Sequence, residues 1–134
     1  RLSAINLKDV SIVAGDGGCL ELENWNYHQN EDDEIPVLAM DHKESLTSLV
    51  LPDKLRKIGG GTGGHTGAFA CCSNLSGSLT IPEGVVKIGG AAFAECTSLT
   101  GTLSLPSTLR QIGETTTYDS YWDGAFLNCN FTCE

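Results

Sequence analysis

The sequence predicts a β-rich solenoid of about four stacked rungs, each built from short parallel strands and a short helical or 3₁₀ turn, with loops inserted between the landmarks. Three recurrences predict it. An apolar-x-apolar-Pro element appears as Leu49-Val50-Leu51-Pro52, Leu79-Thr80-Ile81-Pro82 and Leu103-Ser104-Leu105-Pro106. Six residues after each proline comes Ile-Gly, at Ile58-Gly59, Ile88-Gly89 and Ile112-Gly113. Ala-Phe follows, with cysteine three residues later, at Ala68-Phe69 with Cys72, Ala92-Phe93 with Cys96, and Ala125-Phe126 with Cys129. A unit this small cannot bury its own leucines, so successive copies must stack in parallel and share one core.

Each element has a local reason. The leucine segment alternates apolar and polar in its second half, the period of a strand with one buried face, and the proline ends its pairing. The stretch from Val85 to Ile88-Gly89 reads as a second short extended segment on the opposite side, with glycine where the chain bends. Phe93, Cys96 and Leu99 recur at spacing three, which places them on one face of a helical or 3₁₀ turn. A closing leucine stands at Leu75 and Leu99, and Thr132 holds that place in the last copy. A weaker copy lies upstream: Leu2, Ile5 and Leu7 match the strand, Lys8 replaces the proline, Ala39-Met40 matches Ala-Phe, Lys43 replaces the cysteine, and Leu46 closes it. The single domain 1–134 thus divides into rungs 2–45, 46–74, 75–98 and 99–131, and a unit of about 23 residues leaves 38 as insertions.

These landmarks resemble the BspA-like (Treponema-type) leucine-rich repeat family of surface proteins from Bacteroides and relatives. The match covers nearly all the chain, strongly over 46–131 and more loosely over 2–45. The resemblance implies a secreted or cell-surface protein, and it implies that some relatives bind host matrix proteins or other cells. The fold does not fix the ligand, because function is carried by sites placed on the solenoid.

Composition narrows the classes. A net charge of −9 disfavours nucleic acid and an anionic membrane surface, both of which want a basic face. No apolar run approaches the ~18 residues of a membrane helix. The chain opens on Arg1 at a strand and stops inside a rung, so it reads as a piece of a longer protein, and a missing leader says little. Residues 1–45 carry −7 of the −9. Within that block Glu31, Asp32, Asp33 and Glu34 form a weak calcium candidate, with a solvated loop as the plainer explanation.

Cys72, Cys96 and Cys129 hold one place in the repeat and are expected to form a buried ladder whose thiols donate weakly to backbone carbonyls. Cys19, Cys71 and Cys133 fall outside it, either reactive or paired. No Cys-x-x-Cys pair exists, and His28, His42 and His65 sit at unmatched spacings, so no four-ligand zinc set and no resident metal or other cofactor is expected. Gly59-x-Gly61-x-x-Gly64 has the letters of a dinucleotide fingerprint without the helix that must follow. Asp119 to Gly124 has half of a calcium loop, but Asn130 stands where a bidentate Glu belongs. Asn130-Phe131-Thr132 is an N-glycosylation sequon only in a host that glycosylates. No nucleophile elbow and no tuned carboxylate pair is present, so no enzyme is expected.

The span from the rung's isoleucine to its phenylalanine is five residues at Ile88–Phe93, eleven at Ile58–Phe69 and fourteen at Ile112–Phe126. In the first rung Val13 or Ile35 can match that isoleucine. Both alignments are read as loops leaving along one edge, with the first and fourth starting roughly 14 Å apart at the ~4.8 Å spacing of stacked strands. Trp25, Tyr27, Tyr118, Tyr121 and Trp122 all lie in those two insertions, where they either anchor a partner or pin the loops down. The expected function is a non-enzymatic, surface-associated protein-binding module of the adhesion type. The alternatives are a carbohydrate-binding module stacking sugars on Trp25, Tyr27 and Trp122, and a spacer for an adjacent domain.

Overall fold

The computed structural model describes residues 3–9, 32–36, 39–61, 66–113 and 124–132. Eight short strands run in chain order: β1 (Ala4–Asn6), β2 (Glu34–Ile35), β3 (Ser48–Val50), β4 (Lys57–Ile58), β5 (Leu79–Thr80), β6 (Lys87–Ile88), β7 (Leu103–Ser104) and β8 (Gln111–Ile112). Every pairing is parallel and joins equivalent places in successive rungs, as stacking requires. The isoleucine segments form one continuous sheet in the order β2-β4-β6-β8. Strands end early because both ends of each segment turn. After the proline, Leu55, Val85 and Leu109 donate back to the carbonyls of Pro52, Pro82 and Pro106 at 3.1, 3.3 and 3.2 Å, which carries the chain from one sheet to the other.

The leucine strands do not form one sheet. They pair as β1-β3 and as β5-β7. The break falls where the repeat changes length: from closing leucine to proline is six residues at Leu46–Pro52 but seven at Leu75–Pro82 and Leu99–Pro106. The first rung, Leu2 to Lys8, also has six. Strands therefore pair with the neighbour of equal spacing. The added residue is Gly77 in one rung and Gly101 in the next, and Gly77 takes φ +84, a left-handed conformation costly to other residues. An extra residue of this kind displaces the strand and interrupts the ladder locally.

The register of β2 decides the first-rung alignment, because Ile35 lies opposite Ile58. Ile35 is the match, not Val13, and Ile35 to Met40 then spans five residues as in the shortest rung. This corrects the expectation of one loop edge. The first insertion departs between Asp9 and Asp32, at the corner joining the two strand faces. The others depart after Ile-Gly, between Gly61 and Thr66 and between Gly113 and Gly124. The Ala-Phe segments take the single turn of 3₁₀ type that their spacing predicts. The Phe69, Phe93 and Phe126 carbonyls accept from the amides three residues on at 3.4, 3.4 and 3.1 Å, and no helix occurs among the described residues. His42, Cys71, Glu95 and Asn128, one per rung, take φ of 54 to 61°, and a left-handed residue there stops the turn from propagating.

One core runs through all rungs, from Ile5 to Ala125. Phe69, Phe93 and Phe126 stack nearly parallel, with centroids 5.1 and 5.5 Å apart. The recurring Ala-Phe landmark thus forms one column of rings. Burial thins at the fourth rung, where Leu105 is 45% and Ile112 50% exposed, because only one described neighbour packs on it.

Candidate functional site

Three surfaces follow from this cross-section. The first is the outer face of the leucine strands. Alternation turns Ile5, Leu51, Leu79 and Ile81 inward, so Ala4, Asn6, Ser48, Val50, Thr80 and Ser104 face solvent. These side chains are small and uncharged, and they leave an open, shallow surface suited to another macromolecule rather than a concave site for a small substrate. A hollow of about 240 Å³ lies beside it at the first rung, lined by Ile5, Met40, Lys43, Ser45 and Leu46. Its lining sets Lys43 and Ser45 against the apolar side chains of Ile5, Met40 and Leu46.

The second surface is the isoleucine sheet. Its outer positions form a column of Glu34, Lys57, Lys87 and Gln111, with Glu34 directly opposite Lys57. Opposite charges in facing register positions favour this pairing. Glu34 does not sit in a solvated loop, whereas Asp32 and Asp33 form the turn that precedes it, with Asp32 exposed. The three residues lead into and begin β2, Asp33 with φ 57, and Glu34 is only 4% exposed. Glu31 lies outside the described residues.

The third is the turn column. Successive turns are joined by backbone bonds: Met40 to Ala68 at 2.7 Å, Phe69 to Ala92 at 2.8 Å and Phe93 to Ala125 at 2.7 Å. Behind them the cysteine ladder is as expected. Cys72, Cys96 and Cys129 donate their thiols to the carbonyls of Met40, Phe69 and Phe93 in the preceding rung, at 3.0, 3.2 and 3.1 Å. Burial pushes the Cys72 thiol up to about 11. The contact with Cys129, together with burial, holds Cys96 protonated well above the usual thiol range.

A raised folded-state pKa means stability that is complete below the unfolded value of 9.0 and is lost as pH rises toward 11. We expect alkaline titration across that window to remove on the order of 2 kcal/mol through Cys72. Urea midpoints measured along the titration check this, with Cys72→Ala flattening the slope. Alkylation of the native protein at mildly alkaline pH should leave Cys72 and Cys96 unmodified by peptide mapping.

Among the described residues, one set of three potential metal ligands converges: Asp41, His42 and Cys71, whose donor atoms lie within 4.8 Å of one another. Sequence spacing hides this set, since His42 and Cys71 are 29 residues apart. Aligning the repeats by register would have found it, because the two hold the same left-handed place in adjacent rungs. The aromatic candidates Trp25, Tyr27, Tyr118, Tyr121 and Trp122 lie outside the described residues, as do Cys19 and Cys133.

A model of the BspA type leucine rich repeat region matches residues 33–116 and 65–133. Among solved structures, the chain is similar to a leucine-rich repeat protein from Bacteroides ovatus, with 31% identity and a TM-score of 0.52. That match covers 62% of this chain and 20% of the other, so this chain spans about a fifth of its length. No curated protein matches.

Proposed function

The chain belongs to the BspA-type leucine-rich repeat family, and from that premise we propose that it is a non-enzymatic protein-binding module of the adhesion type, displayed at a bacterial surface or secreted. Members of this family are typically surface-associated in bacteria and generally non-enzymatic, and leucine-rich repeat modules commonly mediate protein interactions. The observation that carries the reading is the outer face of β1, β3, β5 and β7, where Asn6, Ser48, Val50, Thr80 and Ser104 present small exposed side chains from successive rungs. Such a face lets a partner's backbone approach closely, loses little side-chain entropy on binding, and gains specificity from whatever stands at its margins. The insertion aromatics are the further anchors this reading uses, since Trp and Tyr join a large apolar area to a polar handle.

A panel of purified extracellular matrix proteins and bacterial surface proteins, measured by surface plasmon resonance, tests it. Ser48→Arg with Thr80→Arg places two long cations on the face, and we expect affinity for the bound partner to fall at least about tenfold, or roughly 1.4 kcal/mol. Both residues are exposed, so melting temperature should move by no more than a few degrees. Tyr121→Ala with Trp122→Ala should weaken the same interaction. Full binding by the arginine variant together with loss in the aromatic variant would move the site from the face to the insertions. No measurable binding to any panel member would remove the adhesion reading.

A further inference from the structure

We propose that Asp41, His42 and Cys71 bind a zinc-type divalent cation that ties the first rung to the second. The site is a product of register. His42 and Cys71 occupy the same left-handed turn position in stacked rungs, φ 54 and 58°, and the His42 amide donates to the Ala70 carbonyl at 2.9 Å. That bond holds the turn of Asp41 and His42 against the turn that ends at Cys71. The three donor atoms, a carboxylate oxygen, an imidazole nitrogen and a sulfur, lie within 4.8 Å of one another.

An independent observation points to a ligand. The Asp41 Oδ2 contacts His42 Nδ1 at 2.7 Å, but its other oxygen, Oδ1, is closed off from solvent with no hydrogen-bond partner among the described residues. A buried carboxylate oxygen left without a partner is costly, and a cation supplies the missing charge.

The donor set selects the cation. Thiolate, imidazole and carboxylate together suit Zn²⁺ and its neighbours, whereas Ca²⁺ and Mg²⁺ require oxygen donors almost throughout. Tetrahedral zinc, with bonds of about 2.0 Å to nitrogen and oxygen and 2.3 Å to sulfur, separates its ligand atoms by roughly 3.3 to 3.6 Å. The Asp41–His42 contact, at 2.7 Å, is shorter than that spacing, and the donor set as a whole, within 4.8 Å, is close to it. The His42 side chain is 62% exposed, which leaves a route of entry and room for water as a fourth ligand. Binding takes the proton from the Cys71 thiol, and the thiolate and carboxylate then balance the two charges of the ion.

Reduced, metal-free protein titrated with Co²⁺, followed by displacement with Zn²⁺, tests the proposal. We expect one cobalt per chain, with a sulfur-to-cobalt charge-transfer absorption that Zn²⁺ bleaches. Cys71→Asn should abolish that absorption and weaken zinc at least about a hundredfold, while His42→Asn and Asp41→Asn weaken it at least about tenfold. Asparagine suits the left-handed backbone at positions 42 and 71, so circular dichroism should match the parent and separate loss of metal from loss of fold. Absorption that survives Cys71→Asn would place the metal on another thiol and overturn the proposal. So would the absence of cobalt binding, or zinc affinity indifferent to His42→Asn.

Discussion

Phe93→Ala is expected to be among the most damaging single truncations in the molecule, lowering unfolding free energy by about 4 kcal/mol. Phe93 has no exposed surface and stands between two other rings, with Phe69 at 5.1 Å and Phe126 at 5.5 Å, both within 8° of parallel. Removing it costs the transfer of a large apolar side chain, leaves a cavity that close-packed rungs collapse into poorly, and breaks two ring contacts worth about 1 kcal/mol each. Stability in a stacked repeat is a sum of neighbour terms, so a defect in a central rung cuts the column into two shorter pieces. Phe126→Ala supplies the comparison. Phe126 is half-buried, stacks on one ring and meets Phe131 edge-on at 5.9 Å, so its loss should be about half as large. Urea denaturation followed by circular dichroism measures both. Equal losses would mean that the phenylalanines contribute singly and that no stacked column governs the fold.

The columns were readable from sequence because each is a repeated residue type: leucine, isoleucine, phenylalanine and cysteine recur at fixed offsets, and their copies in the inner rungs face the core. What escaped has physical reasons. The first-rung alignment was open because neither Val13 nor Ile35 is followed by the glycine that marks the bend elsewhere. Alanine follows one and proline the other. Only strand pairing could choose between them. The left-handed turn column was hidden because His42, Cys71, Glu95 and Asn128 share a backbone conformation and no chemistry. Asparagine and histidine lean toward that region, but cysteine and glutamate do not. The split of the leucine face was written in the sequence as a change from six to seven residues, but spacing alone does not say whether an added glycine is absorbed or breaks the ladder. The aromatic insertions belong to another class. Nothing in the repeat dictates their course, so sequence could locate them and propose a role but not arrange them.

Gly89→Val is expected to destabilise by at least about 3 kcal/mol, although the residue it replaces has no side chain to lose. A Cβ built on Gly89 would overlap the amide nitrogen of Gly60 and lie 2.6 Å from its Cα and 3.0 Å from the Gly59 carbonyl carbon. All three are backbone atoms of the rung below, so no rotamer relieves the clash. The reverse contact is equally close, since a Cβ on Gly60 would overlap the backbone at Gly89 and Gly90. The two glycine pairs therefore let the corners of adjacent rungs approach within backbone contact. Valine would force the rungs apart and strain the bonds from Gly89 to Ile58 at 2.8 Å and from Gly61 to Gly90 at 3.1 Å. Gly124→Ala isolates steric crowding from the mere removal of glycine. Its Cβ would meet nothing nearer than the Leu127 Cβ at 3.5 Å, and the stiffer unfolded chain makes the change neutral or stabilising by about 0.5 kcal/mol. Amide hydrogen exchange should show protection lost at Gly61 and position 89 in the valine variant and unchanged in the alanine variant. Similar urea midpoints for the two would show that the rungs separate freely and that close approach at this corner is not required.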